Sequence, residues 1–368
     1  MGDTNHHITV FYTTIVFRNS YRDKYNNVMF VYFTSCTNNN MNPIILTHAD
    51  TDGICSGALL KKVYPQAEVF FTKPVSLLAD LEFVKRKEIL ISDIAINKRD
   101  AKKIFDFINK KGLNVMWFDH HPLPSNIKET DIKGFNYISS DASTSENVFR
   151  YFENKVLETD KVSFVPLKPE DVWLAIYGAI GDYETETTFV KKHLLNWDMR
   201  ALYFEASSLV LGIKDEKFDN YNAKRAIVNI LSSGKNPSEI PGLVLSAKNV
   251  IKREFVLYEL IKSNVQVFEN IGYVTRIPHF GFRGPSALFS ATATKKPLGL
   301  CVFTTERYID ITMRSPNKGI PLNLLAETAA EEVGGSGGGH PTAAGARIPP
   351  NTLEKFLEKI NQLLSKYI

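Results

Sequence analysis

The amino-acid sequence predicts an α/β fold: a parallel sheet with helices on both faces, a helical connector, and a smaller mixed α/β domain. Three observations carry that expectation. From residue 41 to about 120, short apolar runs alternate with helical patterns, the mark of successive strand–helix units. From about 145 to 264 the pattern is largely helical. From Val265 onward β-type runs return, and an amphipathic helical pattern follows them. At 368 residues, 44% of them hydrophobic, the chain is long enough for two such cores.

Each element follows from its local pattern. Ile44, Ile45 and Leu46 make a buried-strand run, and a helix is expected over 56–63 after a turn at Gly53. Val69, Phe70 and Phe71 form a second strand run, and Ile89, Leu90 and Ile91 a third. Over 100–111, Ile104, Phe105, Phe107 and Ile108 recur among charges at helical spacing. Residues 115–118 are the fourth strand run, and 174–180, apolar nearly all round, predict a buried helix. A long stretch over 240–262 is expected to connect two lobes. Further β runs lie at 265–268, 298–303 and 308–313, with a helix at 322–333. The last amphipathic helix carries Leu353, Phe356, Leu357, Ile360, Leu363 and Leu364. The expected division is 41–215 for the first domain, 216–262 for the connector and 263–368 for the second domain.

Residues 1–40 have another texture. They are rich in Asn, Thr, Tyr and Phe, lack helical periodicity and end in Asn38-Asn39-Asn40. An extension outside the fold is expected, against the alternative of two extra edge strands. The apolar run at 8–17 follows His6 and His7 rather than a basic start, and no apolar run approaches the ~20 residues of a membrane span. A cytoplasmic protein with no membrane partner is therefore expected. Cys36, Cys55 and Cys301, odd in number and far apart, exclude a disulfide framework and a zinc ribbon, and fit a reducing compartment. The net charge of +4 permits a polyanionic partner without requiring one.

The residues that carry chemistry sit where the strand runs stop. The first run ends in His48-Ala49-Asp50-Thr51-Asp52-Gly53, the third in Ser92-Asp93, and the fourth in Asp119-His120-His121-Pro122. The buried helix ends in Gly181-Asp182-Tyr183-Glu184. In a parallel α/β sheet, ligands bind beyond the carboxyl ends of the strands, so the three strand-end clusters converge there. A single strand-end Asp is commonplace as a turn or helix cap. Several carboxylates gathered without Lys or Arg repel one another, so a cation must lie between them. Carboxylate oxygens with imidazole nitrogens and no thiolate suit Mn²⁺ or Mg²⁺ better than Zn²⁺ or Co²⁺. The ligands suffice for two ions about 4 Å apart, an arrangement that activates water for displacement at phosphorus.

A second signal is the run Gly334-Gly335-Ser336-Gly337-Gly338-Gly339-His340-Pro341, followed by Thr342-Ala343-Ala344-Gly345-Ala346. It matches neither a dinucleotide fingerprint nor a P-loop. A plain linker seldom leads into His-Pro-Thr-Ala-Ala. The expectation is a loop whose bare backbone approaches an anion and offers N–H donors.

Together these residues resemble a known family. The four acidic and histidine motifs look like motifs one to four of the DHH phosphoesterase superfamily. The run Gly337-Gly338-Gly339-His340 resembles the GGGH motif of the DHHA1 domain. The resemblance covers about 43–184 and 265–348. It implies two Mn²⁺ ions, with Mg²⁺ or Co²⁺ as substitutes, and hydrolysis of phosphodiester or phosphoanhydride bonds. His48, Asp50 and Asp93 would hold one ion, and Asp52, Asp93, His120 and Asp182 the other, with Asp93 bridging. The catalytic candidates are His121, against the scissile phosphate or leaving group, and Asp119, orienting a neighbouring histidine. The glycine–histidine run would hold the substrate's phosphate or terminal nucleotide. Arg314, in a stretch resembling the family's arginine-bearing strand, is a second anion contact.

From 248 to 314 the chain holds ten Lys/Arg and five Asp/Glu, which supports a polyanion running over the second lobe. Phe280, Phe282 and Phe289 are available to stack on bases, against the plainer role of core side chains. Arg283, in the glycine-flanked stretch 281–284, reads as an exposed loop residue and a further anion candidate. The leading expectation is a phosphodiesterase acting from an end on single-stranded nucleic acid or short oligonucleotides, similar to nanoRNases and archaeal RecJ-like exonucleases. The rivals are a cyclic-dinucleotide or small-nucleotide phosphodiesterase and a non-catalytic replisome scaffold. A homodimer and a replication or repair partner are left open.

Overall fold

The first sheet begins at β1 (Ile44–Thr47), buried along its whole length. α1 (Thr51–Val63) follows at once, capped by Asp50, whose carboxylate accepts the Gly53 N–H at 3.0 Å. Gly53 thus lies inside the first helical turn rather than in a turn before the helix. A Cβ there would sit 2.3 Å from the His48 carbonyl oxygen, so the close approach of strand end and helix demands glycine. The computed structural model describes residues 42–368 except 125–126, 129–130, 132–134, 154–164, 276 and 278–281. The expected N-terminal extension lies outside the described residues.

The chain continues through β2 (Glu68–Phe71), α2 (Leu77–Phe83), β3 (Glu88–Ser92), α3 (Ala101–Lys111), β4 (Asn114–Asp119) and β5 (Phe135–Ile138). All pairings are parallel, in the order β2-β1-β3-β4-β5. The order reverses at β1, so the crevice for a ligand opens between the carboxyl ends of β1 and β3. Register sets Thr47 beside Ser92 and Ser92 beside Phe118, which brings His48, Asp93 and Asp119 level with one another.

Alternation along the strands builds two cores. Ile45, Leu90 and Phe118 face α1, α4 (Thr144–Phe152) and α5 (Val172–Gly181). Ile44, Leu46, Ile89, Ile91 and Trp117 face α2 and α3. Each fully buried side chain of this size contributes about 1.5–3 kcal/mol relative to exposure. α6 (Thr188–Leu195), α7 (Met199–Gly212) and α8 (Tyr221–Ser232) extend the first core, and α9 (Leu243–Asn264) leads to the second.

The second sheet consists of β6 (Gln266–Phe268), β7 (Ile271–Val274), β8 (Leu298–Thr304), β9 (Ile309–Arg314), β10 (Ser336–His340) and β11 (Ala343–Ile348). Its order is β10-β11-β9-β8-β7-β6, antiparallel except for the β7–β8 pair. α11 (Leu322–Glu332) and α12 (Leu353–Leu364) cover Ile309, Ile311 and Met313 on one face. α10 (Arg283–Thr294) lies on the other, through Ala287 against Val274 and Cys301.

Two expectations need correction here. The glycine run is not a loop: residues 336–340 form an edge strand paired with β11. Glycine is tolerated in this strand because the backbone runs close to its neighbours; at Gly339, φ is +127° and a Cβ would lie 2.6 Å from the Ala343 oxygen. Arg283 is not on an exposed loop either, since it opens α10 and is half-buried.

Candidate metal centre

The site forms at the carboxyl edge of the first sheet. Leaving β1, the His48 Nδ1 lies 2.6 Å from Asp50 Oδ2 and 3.8 Å from Asp93 Oδ2. Asp50 serves as α1 cap and site residue at once, so its carboxylate is fixed from both sides. Leaving β3, Asp93 adopts φ 58°, the left-handed region that Asp tolerates better than most residues. Its N–H donates to the Phe118 carbonyl at 3.0 Å, which ties the bend to β4. The bend costs about 1 kcal/mol or more and turns the carboxylate into the crevice.

Asp52, in the first turn of α1, is completely buried and held by another helix. Its two oxygens accept the N–H groups of Thr144 at 2.7 Å and Ser145 at 3.0 Å, the open N-terminus of α4. Charge-assisted bonds of this type contribute about 1.5–3 kcal/mol each, and the helix dipole favours the anion. Thr144 Oγ1 also reaches Asp93 Oδ1 at 3.3 Å. This supporting pair was missed from the sequence. The signal was present, because Ser143 to Glu146 is the S-x-x-E helix-start signature and Ser143 caps α4.

His120, just past β4, places Nε2 3.2 Å from Asp182 Oδ2 and 3.4 Å from Asp93 Oδ1. Asp182 is the C-terminal cap of α5. Two sets with ligand atoms within 4.8 Å of one another result: His48, Asp50 and Asp93, and Asp52, Asp93, His120 and Asp182. Asp93 belongs to both. Two further sets adjoin them: Asp93, Asp119 and His121, and His120, His121 and His340.

The electrostatics describe a cluster short of positive charge. Burial, then Asp182, pushes Asp52 up to about 6; burial, then Asp50, raises Asp93 well above the carboxylate range. Burial opposes protonation of His120, yet its contacts with Asp182 and Asp93 push it up to about 12. The same opposition leaves His48 raised and Asp50 lowered, each through the other's charge. Among the described residues no Lys or Arg forms an ion pair with Asp52, Asp93 or Asp182, and Asp93 Oδ2 and His120 Nε2 are buried without a well-aligned hydrogen bond. Orphaned oxygen and nitrogen atoms facing several carboxylates fit divalent cations of the Mn²⁺ or Mg²⁺ kind.

Beside this cluster, Asp119 Oδ1 lies 2.8 Å from His121 Nδ1, and that contact keeps the Asp119 carboxylate low in spite of burial. The second lobe closes over the pair. The His340 ring centroid on β10 is 4.2 Å from that of His121 and 4.6 Å from that of His120. Burial, then His121 and His120, drives His340 down to about 3, so it is neutral. Arg314 and His340 lie in one cross-strand row on either side of Ala343. Burial pushes the Arg314 guanidinium below its ordinary range, against the opposing pull of Tyr183 and Asp182. Gly337, Gly338 and Gly339 occupy β10, which among the described residues has no strand partner on its outer edge.

Other candidates sit elsewhere. The Arg283 guanidinium pairs with Asp310 at 3.3 Å and lies over the Phe303 ring. Phe282 and Phe289 pack in a small core under α9, and Phe280 lies outside the described residues. A cavity of about 330 Å³ at the far end of α1, lined by Lys61, Lys62 and Asp171 among others, touches none of the acidic and histidine sets. Lys62 and Asp171 already pair there at 2.9 Å.

Comparisons with known proteins match this layout. A model of the DHH family N-terminal domain matches residues 42–174, and one of the DHHA1 domain matches 287–366. No curated protein is similar at a significant level. Among solved structures, one described as a DHH domain and a member of the s1p family of ribosomal proteins superposes with a TM-score of 0.64 at 14% identity, covering 89% of this chain and 87% of that one. RecJ of Thermus thermophilus in complex with Mn²⁺ gives 0.59 at 15% identity, over 89% of this chain and 52% of RecJ. A pGpG-specific phosphodiesterase of Vibrio cholerae gives 0.51 at 16% identity, over 87% of this chain and 99% of that one. At these identities the likeness is one of fold. Among the described residues no helix is long and apolar enough to cross a membrane.

Proposed function

We propose a function from one premise: this chain belongs to the DHH/DHHA1 family of phosphoesterases. On that premise it is a manganese-dependent phosphodiesterase that hydrolyses single-stranded nucleic acid or short oligonucleotides from an end. The observation that carries the reading is Asp93, shared between two acid–histidine sets, with His340 of the second sheet packed against the neighbouring His120 and His121. His48, Asp50 and Asp93 would hold one ion, and Asp52, Asp93, His120 and Asp182 the other. When bound, such ions supply Lewis acidity toward water and the phosphoryl oxygens.

The protein's own groups do the rest. Asp119, as a positioning residue, holds the proton of His121 on Nδ1 and aims Nε2 at the phosphate or leaving group. His340 and the bare backbone of residues 337–339 seat the substrate's terminal phosphate or nucleotide, with Arg314 supplying charge from the adjoining strand. The family of folds includes both an exonuclease and a dinucleotide phosphodiesterase, so the rival reading is a small-nucleotide substrate.

The test is direct. Purified protein with Mn²⁺ is given labelled single-stranded oligonucleotides, linear dinucleotides and cyclic dinucleotides. End-first shortening of the linear substrates is the expected result. Failure to cut any phosphate ester would sink the enzyme reading, and cleavage of the cyclic substrate alone would replace the nuclease reading by its rival.

A further inference from the structure

α9 is buried along Val250, Leu257 and Ile261. Its opposite side is not the polar face a surface helix ordinarily presents. Phe255 is 73% exposed and Val256 71%, with Ile251 and Leu260 exposed beside them. At about 100° per residue, Ile251, Lys252, Phe255, Val256, Glu259 and Leu260 fall within one half of the helix, centred opposite the buried line. A helix apolar on two opposite sides is stable in water when both are covered. Among the described residues nothing covers the outer one.

We propose that this face binds a second copy of the chain, α9 against α9, antiparallel, about a two-fold axis between Phe255 and Val256. The order of residues selects that occupant. An axis there sets Phe255 against Val256 of the partner subunit, Ile251 against the partner's Leu260, and Lys252 against Glu259 of the partner subunit. The relation is reciprocal, as an isologous contact requires. Lys252 and Glu259 are both exposed. Lys252 has no ion pair among the described residues, and Glu259 has a loose one with Lys262 of its own helix at 3.8 Å, which a closer Lys252 of the partner subunit would displace. A parallel pairing would set Lys252 against Lys252 and Glu259 against Glu259, which like-charge repulsion forbids. The antiparallel register thus satisfies apolar surface and charge together. α9 packs on α7 of the first lobe and α10 of the second, so a partner on its outer face braces the element that joins them.

The test is sedimentation velocity of the full chain at about 1–100 μM, for the wild type, Lys252→Glu, Glu259→Lys, the double exchange and Val256→Glu. The wild type is expected to dimerise within this range, a helix-pair interface being smaller than a standard one. Each single charge reversal places two like pairs in the dimer and weakens it about tenfold or more; Val256→Glu abolishes it. The double exchange restores it, because the pair is reversed on both sides of the axis. A wild type monomeric at the highest concentration overturns the proposal, as do single variants that dimerise unchanged or a folded double variant that stays monomeric. Should a variant fail to fold, zero-length carbodiimide cross-linking of mixed isotope-labelled and unlabelled wild type decides. An intersubunit Lys252–Glu259 peptide supports the register, and its absence overturns it.

Discussion

The two sheets meet at the site by opposite means. The first presents side chains: carboxylates and imidazoles at strand ends, each clamped by a cap, a helix N-terminus or a neighbouring ring. The second presents mainly backbone, a glycine edge strand with one histidine at its end. A charged cage tolerates no looseness, because misplaced carboxylates bind cations badly, whereas a polyanion slides more readily over a surface without side chains. On the function proposed above, ion-holding and substrate-holding are separable, one to each sheet.

The sharpest way to break that separation is Asp93→Ala. Losing the shared ligand should cost about 10³-fold or more in turnover and empty both ion sites, as read by elemental analysis. Near wild-type rates would remove the bridge from the account. The counterpart is His340→Ala, expected to raise KM about tenfold with the ion content unchanged. An ion lost from that variant would mean that the second sheet shares in metal binding.

A third prediction follows from Asp52, pushed up to about 6 from an ordinary value of 3.8. The fold favours the neutral acid, so the ion-free protein loses stability as pH rises from about 3.8 to about 6, and the loss persists above that window. A bound cation reverses the preference. Adding Mn²⁺ should therefore raise Tm more at about pH 7.5 than at about pH 5. Equal shifts at both would mean that protons do not compete for these ligands. The smallest effect belongs to Lys98, which reaches from the first lobe to Glu327 and Glu331 on α11 at 3.2 and 3.3 Å. It is exposed, and Lys98→Ala should change KM by no more than about threefold. A larger change would make lobe closure depend on that contact.

Much of this was legible in the sequence where local pattern and tertiary role coincide. Ile44 to Leu46 and Ile89 to Ile91 read as buried strands because both faces of a parallel sheet are covered, and the acids directly after them could only lie at its carboxyl edge. The two ligand sets implied by the resemblance are among the four groups of described residues whose ligand atoms lie within 4.8 Å of one another. What escaped the sequence depended on partners far along the chain. β5 is four residues of mixed polarity that become a strand by pairing with β4. β10 reads as a loop because glycine has no strand propensity, and it is a strand because β11 supplies the ladder. Arg283 reads as a loop residue because nothing local announces its distant partner Asp310.

The left-handed backbone at Asp93 also bears on how the protein can change. At φ 58° a side chain other than Asp, Asn or Gly meets steric resistance, so few replacements leave the bend between β3 and the crevice intact. Asparagine is the one that keeps the bend and an oxygen and gives up only the charge. On the role proposed for Asp93, the mutational path from hydrolase to inert binding protein is a single step, Asp93→Asn, that leaves the left-handed bend in place.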